Sequence, residues 1–248
     1  MAIIKLRKPV ILEKIKVIKR KEYTPDLFLM WLERPEGFNY KSGKYCTIGV
    51  EGVERAYSIA SAPHEKYLEL FIERIPEPEG KLTPLLYKLD IGDTVTIRPR
   101  AKGLFTLDET FTNHVMVATV TGVAPFVSYI RDYLHNGHEG NNFHVLEGAS
   151  YFDEFVYDAE LEEISKQYPS LLSFISTISR PDEEHNREWK GKTGRVNMIV
   201  EDYVENLGFK PENTLIYACG HPDMIEDVKD RMAPKGFKVK FERFWKED

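Results

Sequence analysis

Arg55-Ala56-Tyr57-Ser58 is the densest of several short runs whose side chains suit flat, phosphate-bearing ligands. In an extended strand Arg55 and Tyr57 project to one face. There a guanidinium can grip a pyrophosphate through two parallel hydrogen bonds while the phenol ring stacks on a flat heterocycle. Ser58 can hydrogen-bond the edge of that heterocycle if the strand bends. The same residues would serve cross-strand packing equally well, so the run gains weight only in company.

Other runs supply that company. In Gly80-Lys81-Leu82-Thr83-Pro84, Thr83 is expected to N-cap a helix that Pro84 opens, leaving free amides for an anion. Thr119-Val120-Thr121-Gly122-Val123-Ala124-Pro125-Phe126 reads as a strand end turning into a helix, with Gly122 admitting a ligand to the backbone. Tyr217-Ala218-Cys219-Gly220-His221-Pro222-Asp223-Met224 repeats that logic and presents Cys219 as a small, polarizable neighbour of a ring. His221 and Asp223 fit helix capping better than chemistry. Ser179-Arg180, with Lys190, Lys192 and Arg195 beyond, suits a ribose 2′-phosphate, which needs cations where a bare 2′-hydroxyl needs an acid. Asp182, Glu183 and Glu184 weaken that positive field. Glu242 and Trp245 close the series, Trp245 as a core plug or a cover for a ring face. The histidines lack metal-ligand spacing, so no metal is assigned.

These residues need two kinds of scaffold. Apolar runs at 11–18, 27–32, 45–50, 55–59, 67–74 and 94–98 are short and separated by turn formers, which predicts an antiparallel β-barrel with one helical insertion at 84–89. Past residue 110, strands at 115–120, 143–146, 171–178, 214–218 and 237–241 alternate with helices at 125–134, 153–167, 194–207 and 222–232. That alternation predicts a doubly wound parallel α/β sheet with ligands at the strand carboxyl ends. The expected units are 1–109 and 110–248, with 181–191 a long polar loop of the functional kind.

Composition bounds the alternatives. A formal net charge of −6 over 248 residues argues against nucleic-acid binding. Residues 1–25 nevertheless carry Lys5, Arg7, Lys8, Lys14, Lys16, Lys19, Arg20 and Lys21 against Glu13 and Glu22, a solvated strand face or a docking patch for an acidic partner. No apolar run is long enough to insert in a membrane, and Cys46 and Cys219 are too few for a disulfide framework or an iron–sulfur cluster. A cytoplasmic setting is expected.

In order and spacing, Arg-x-Tyr-Ser, Gly-x-x-Thr, Thr-Gly-x-x-Pro and Cys-Gly-x-Pro-x-Met resemble the ferredoxin–NADP(+) reductase family, in particular its bacterial ferredoxin/flavodoxin reductases. The resemblance runs from about residue 8 to Trp245. It implies an FAD-binding barrel followed by an NADP-binding sheet, with hydride passing between NADPH and flavin N5. Single electrons would then pass to a separate ferredoxin or flavodoxin. By the same resemblance Arg55, Ala56, Tyr57 and Ser58 hold the flavin, with Ser58 near N5, and Gly80, Lys81, Leu82 and Thr83 form the second phosphate contact. Thr121, Gly122 and Pro125 match the NADP loop; Ser179, Arg180 and Arg195 the 2′-phosphate site; Cys219 the neighbour of the nicotinamide; Glu242 and Trp245 the acidic and aromatic pair near the carboxyl end. Lys246-Glu247-Asp248 extends past the tryptophan, and residues 147–150 lack the arginine often present in NADP-binding relatives. An NAD(P)H:flavin reductase and an electron-transfer subunit of a larger complex are the competing functions.

Overall fold

The computed structural model describes residues 11–243. Its first half is a sheet of six antiparallel strands: β1 (Glu13–Glu22), β2 (Leu27–Glu33), β3 (Tyr45–Val50), β4 (Val53–Ser58), β5 (Tyr67–Glu73) and β6 (Thr94–Ile97), in the order β4-β3-β6-β1-β2-β5. An Ile59–Leu70 bridge and the Ala60 amide on the Glu69 carbonyl (2.8 Å) tie the outer strands together, curling the sheet into a nearly closed barrel. β1 serves two partners, β6 through Glu13–Lys16 and β2 from Val17 onward, and its register slips between Val17 and Lys19. A bulge of that kind turns a strand around a barrel corner.

Phe28, Met30, Leu32, Leu68, Leu70 and Ile72 fill the barrel together with Leu82 and Leu86, the latter from the short helix α1 (Thr83–Tyr87). The alternate residues Leu27 and Leu29, with Phe71, pack outward onto the second half of the chain. Burial of both faces is why residues 27–32 read as one continuous apolar run. Arg20 donates to the carbonyls of Tyr87 (2.9 Å) and Leu89 (2.6 Å), while Lys19 and Lys21 lie over Trp31 and Tyr23. Part of the N-terminal basic cluster is therefore engaged within the barrel. Lys5, Arg7 and Lys8 lie outside the described residues.

The second half is a parallel sheet built from β7 (Asn113–Thr119), β8 (Asn142–Ala149), β9 (Leu172–Ile178), β10 (Lys192–Thr193), β11 (Thr214–Gly220) and β12 (Lys238–Arg243), ordered β10-β9-β8-β7-β11-β12. Helices α2 (Ala124–Asn136) and α3 (Asp158–Gln167) cover one face, and α4 (Val196–Asn206) and α5 (Pro222–Met232) the other. The chain winds outward from β7 in both directions, which leaves a crevice at the carboxyl end of β7. Among the described residues no helix is long and apolar enough to cross a membrane.

The barrel-then-sheet order matches the expectation; several boundaries do not. The helix expected over 153–167 starts only at Asp158. Upstream, the Glu154 carboxylate accepts the Ser150 and Tyr151 amides (2.7 and 3.0 Å), tightening Phe152–Glu154 into a 3₁₀ turn, while Phe155 and Val156 drop into the core. The helix expected from residue 194 starts at Val196, because Gly194 has φ +109° and Arg195 is extended. The edge strand β10 has two residues and left no periodic signal.

Candidate functional site

The two halves meet at Ser58. Strand alternation puts Arg55 and Tyr57 on one face of β4, opposite Ile48 and Cys46, and Ala56 and Ser58 on the other. Ser58 is buried and its hydroxyl donates to Glu242 Oε2 (3.3 Å) on β12. Glu242 is the register partner of Cys219 on β11. The tyrosine-bearing strand of the barrel and the cysteine-bearing strand of the sheet thus converge on one junction. Burial raises the Glu242 carboxyl to about 7; the hydrogen bond from Ser58 opposes that rise without cancelling it. Cys219 is fully buried, and burial beside Glu242 pushes its thiol well above the ordinary value. It is held as a neutral thiol, unsuited to nucleophilic attack, and lies beneath the cavity lining rather than in it.

A cavity of about 480 Å³ opens at the carboxyl ends of β7, β8, β9 and β11. Thr121 lines it near the switch between β7 and β11; Ser179, Arg180 and Arg195 line it on the β9 side. Gly122 and Pro125 are buried just beneath. The loops after β7 and β11 interlock there: a Cβ on Gly122 would strike the Cys219 carbonyl, and one on Gly220, whose φ is +126°, would strike Thr119. The His221 amide also donates to Thr119 Oγ1 (2.8 Å). His221 Nδ1 accepts the Asp223 amide (3.2 Å), the capping role expected of it. Val120, β-branched, sits at φ +43° on the cavity wall, a conformation that strains such a residue.

On the β9 side Arg180 donates to the Tyr151 hydroxyl (3.0 Å), and Glu183 bonds both partners. Asn186, almost fully buried, donates to the carbonyls of Ser150 and Arg180 and accepts from the Phe152 amide, so the polar loop after β9 is pinned in place. Sequence reasoning missed several cavity residues, among them Glu73, Gly148, Ala149 and Asn197. Gly148-Ala149 carried a usable signal: a small pair ending a buried strand at the crevice.

In the barrel, Arg55 is exposed and its hydrogen bond goes to the adjacent Glu54 carbonyl (2.7 Å). Among the described residues it makes no salt bridge, so its guanidinium is available to a pyrophosphate. One expectation is corrected here. Thr83 is not an N-cap: Leu82 holds that position with no side-chain bond, and the Thr83 hydroxyl accepts the Ile75 amide (2.9 Å) and donates to the Ile75 carbonyl (3.0 Å). Thr83 braces the 75–83 loop instead. Gly80 and Leu82 are buried and Lys81 is exposed. Trp245 lies outside the described residues.

The halves are locked together by a buried polar cluster. Glu69 of β5, almost fully buried, receives Tyr157 Oη (2.7 Å), Arg131 Nη1 (3.0 Å) and Trp31 Nε1 (3.1 Å). Arg131 in turn grips Glu160 with two bonds of 2.7 Å.

A nearly closed barrel fused to a doubly wound sheet whose crevice opens beside it defines a flavin- and nicotinamide-dependent oxidoreductase. The family described as the oxidoreductase NAD-binding domain matches residues 116–230. A flavodoxin/ferredoxin–NADP reductase of Buchnera aphidicola subsp. Schizaphis graminum is 31% identical over 209 residues, 78% of each chain. A ferredoxin NADP+ reductase of Neisseria gonorrhoeae, solved with bound FAD and NADP, superposes with a TM-score of 0.81 at 25% identity, covering 94% of this chain and 99% of that one. A component of the Na(+)-translocating NADH-quinone reductase of Klebsiella pneumoniae is 32% identical over 200 residues, 75% of this chain but 48% of that longer protein. The chain belongs to the ferredoxin–NADP reductase family.

Proposed function

We propose that this enzyme uses FAD to exchange hydride with NADP(H) and single electrons with a separate ferredoxin or flavodoxin. The observation that carries the reading is the Ser58–Glu242 contact, which brings β4 of the barrel against the Cys219 end of the sheet. When bound, FAD supplies the chemistry of converting a two-electron hydride into single electrons.

Arg55, Ala56, Tyr57 and Ser58 hold the flavin: the free guanidinium takes the pyrophosphate, the half-buried Tyr57 ring offers a stacking face, and the backbone of Gly80, Lys81 and Leu82, braced by Thr83, lines the phosphate end. Thr121, Gly122 and Pro125 shape the dinucleotide loop. Ser179, Arg180 and Arg195 attract the 2′-phosphate. Glu242 Oε2 accepts the Ser58 hydroxyl and, with a carboxyl raised to about 7, holds a proton at the junction for part of the time at neutral pH. Cys219 keeps the floor of the junction apolar and uncharged.

Similarity to the longer quinone-reductase component supports a second reading, an electron-transfer subunit of a larger complex. The chain's only cysteines, Cys46 and Cys219, are both buried, so it carries no ligand set for a cluster of its own. One experiment tests the first reading. A yellow protein that retains FAD through gel filtration, bleaches with NADPH and passes electrons to ferredoxin or flavodoxin meets the proposal. Colourless protein that takes up no FAD refutes it, and release of reduced free flavin points to a flavin reductase.

A further inference from the structure

The residues at the β9 end of the crevice contain two opposed readers of a ribose. Arg180 Nη1 lies 3.4 Å from Glu183 Oε1 and 3.0 Å from the Tyr151 hydroxyl, its guanidinium is 5.4 Å from the centroid of the Tyr151 ring, and the Tyr151 hydroxyl donates to Glu183 Oε2 at 2.6 Å. Both oxygens of Glu183 are thus engaged, one by Arg180, which lines the cavity, and one by Tyr151, which stands beside Arg180 just outside that lining. The neighbouring Glu184 is engaged elsewhere, by Arg187 at 2.6 Å. Arg195, which follows the β10 segment paired to β9, also lines the cavity and makes no salt bridge among the described residues.

We infer that Glu183 is a specificity-determining residue: it accepts the bare 2′-hydroxyl of an NADH ribose and competes with the 2′-phosphate of NADPH for Arg180, so the enzyme discriminates weakly between the two dinucleotides. The inference rests on the proposed placement of the adenosine ribose at the Arg180 end. A dianionic phosphate arriving at Arg180 meets a carboxylate already paired with the same guanidinium and is repelled by it. A bare ribose hydroxyl needs an acceptor, and an acid beside the site is what such a ribose calls for. Arg195, lining the same cavity, leaves the phosphate one cation that no carboxylate contests. The rival view, that Glu183 orients Arg180 for the phosphate, predicts the opposite sign.

Calorimetric titration of the full-length holoprotein with adenosine 2′,5′-bisphosphate and with 5′-AMP tests this. In Glu183→Gln, removing an exposed competing charge should tighten bisphosphate binding about three- to fivefold. The same change should weaken 5′-AMP, and the kcat/KM ratio of NADPH over NADH should rise. Unchanged or weaker bisphosphate binding in Glu183→Gln overturns the inference. A separate control examines its foundation: if Arg180→Gln binds the bisphosphate as well as the native protein does, the placement of the ribose is what fails.

Discussion

The barrel and the sheet carry their imperfections differently. In the barrel every deeply buried side-chain polar atom among the described residues has a partner, and the one non-glycine residue at positive φ, Glu51, sits with Gly52 in a two-residue hairpin turn that favours such angles. In the sheet, Glu147 on β8 has both carboxyl oxygens buried without a partner, His114 on β7 has an orphaned Nδ1, and Val120 is strained on the cavity wall. Unpaired groups and strain are tolerated where an element must do something besides fold. The barrel is a satisfied seat. The sheet keeps its conflicts on β7, on β8 and in the turn after β7, with β7 and β8 among the four strands whose carboxyl ends line the crevice.

The contrast can be broken first where the halves join. Arg131→Ala leaves Glu69 almost fully buried without its main counter-charge, which should lower stability by about 3–5 kcal/mol. Urea titration would show it, and a loss below about 1 kcal/mol would mean the halves are held by apolar packing alone. Next comes pH. The Glu242 carboxyl lies at about 7 in the fold against an ordinary 4.5, so the stability tied to its proton is fully present below about 4.5 and disappears as pH rises through 7. The difference is roughly 3 kcal/mol. Glu242→Gln should flatten that part of the stability profile and remove any inflection near neutral pH in the rate of flavin reduction by NADPH. A profile identical to that of the native protein would assign the acid no such proton. The smallest effect concerns the orphan: Glu147→Leu should raise stability by about 1–3 kcal/mol, seen as a higher melting temperature. A loss instead would reveal a partner for the carboxyl.

Much of this was legible in the residues. The change of period near residue 110 separated barrel from sheet, and the glycine- and proline-marked strand ends at 119–125 and 217–224 located the crevice, because turns that tight need those residue types. The Ser58–Glu242 contact joins positions 184 apart in the chain, and no local pattern encodes such a pairing. Thr83 misled because a threonine before a proline favours an N-cap, whereas tertiary contact gave its hydroxyl to Ile75. The break at Phe152–Val156 was hidden for a related reason: the acidic pair Asp153-Glu154 looks like the first turn of a helix, but the Glu154 carboxylate caps the preceding amides and Phe155 is buried. Arg131 went unremarked since a single arginine on an amphipathic helix looks like any surface cation until its carboxylates arrive from other elements.

Glu242 also sets an order of events during synthesis. Arg55, Tyr57 and Ser58 leave the ribosome long before β12, and domains fold as units from the N-terminus onward. A nascent barrel can therefore close, and its arginine can meet a ligand, while the acid that will face Ser58 is still untranslated. Any product cut short before β12 would keep Arg55, Tyr57 and Ser58 yet lack the acid that faces Ser58.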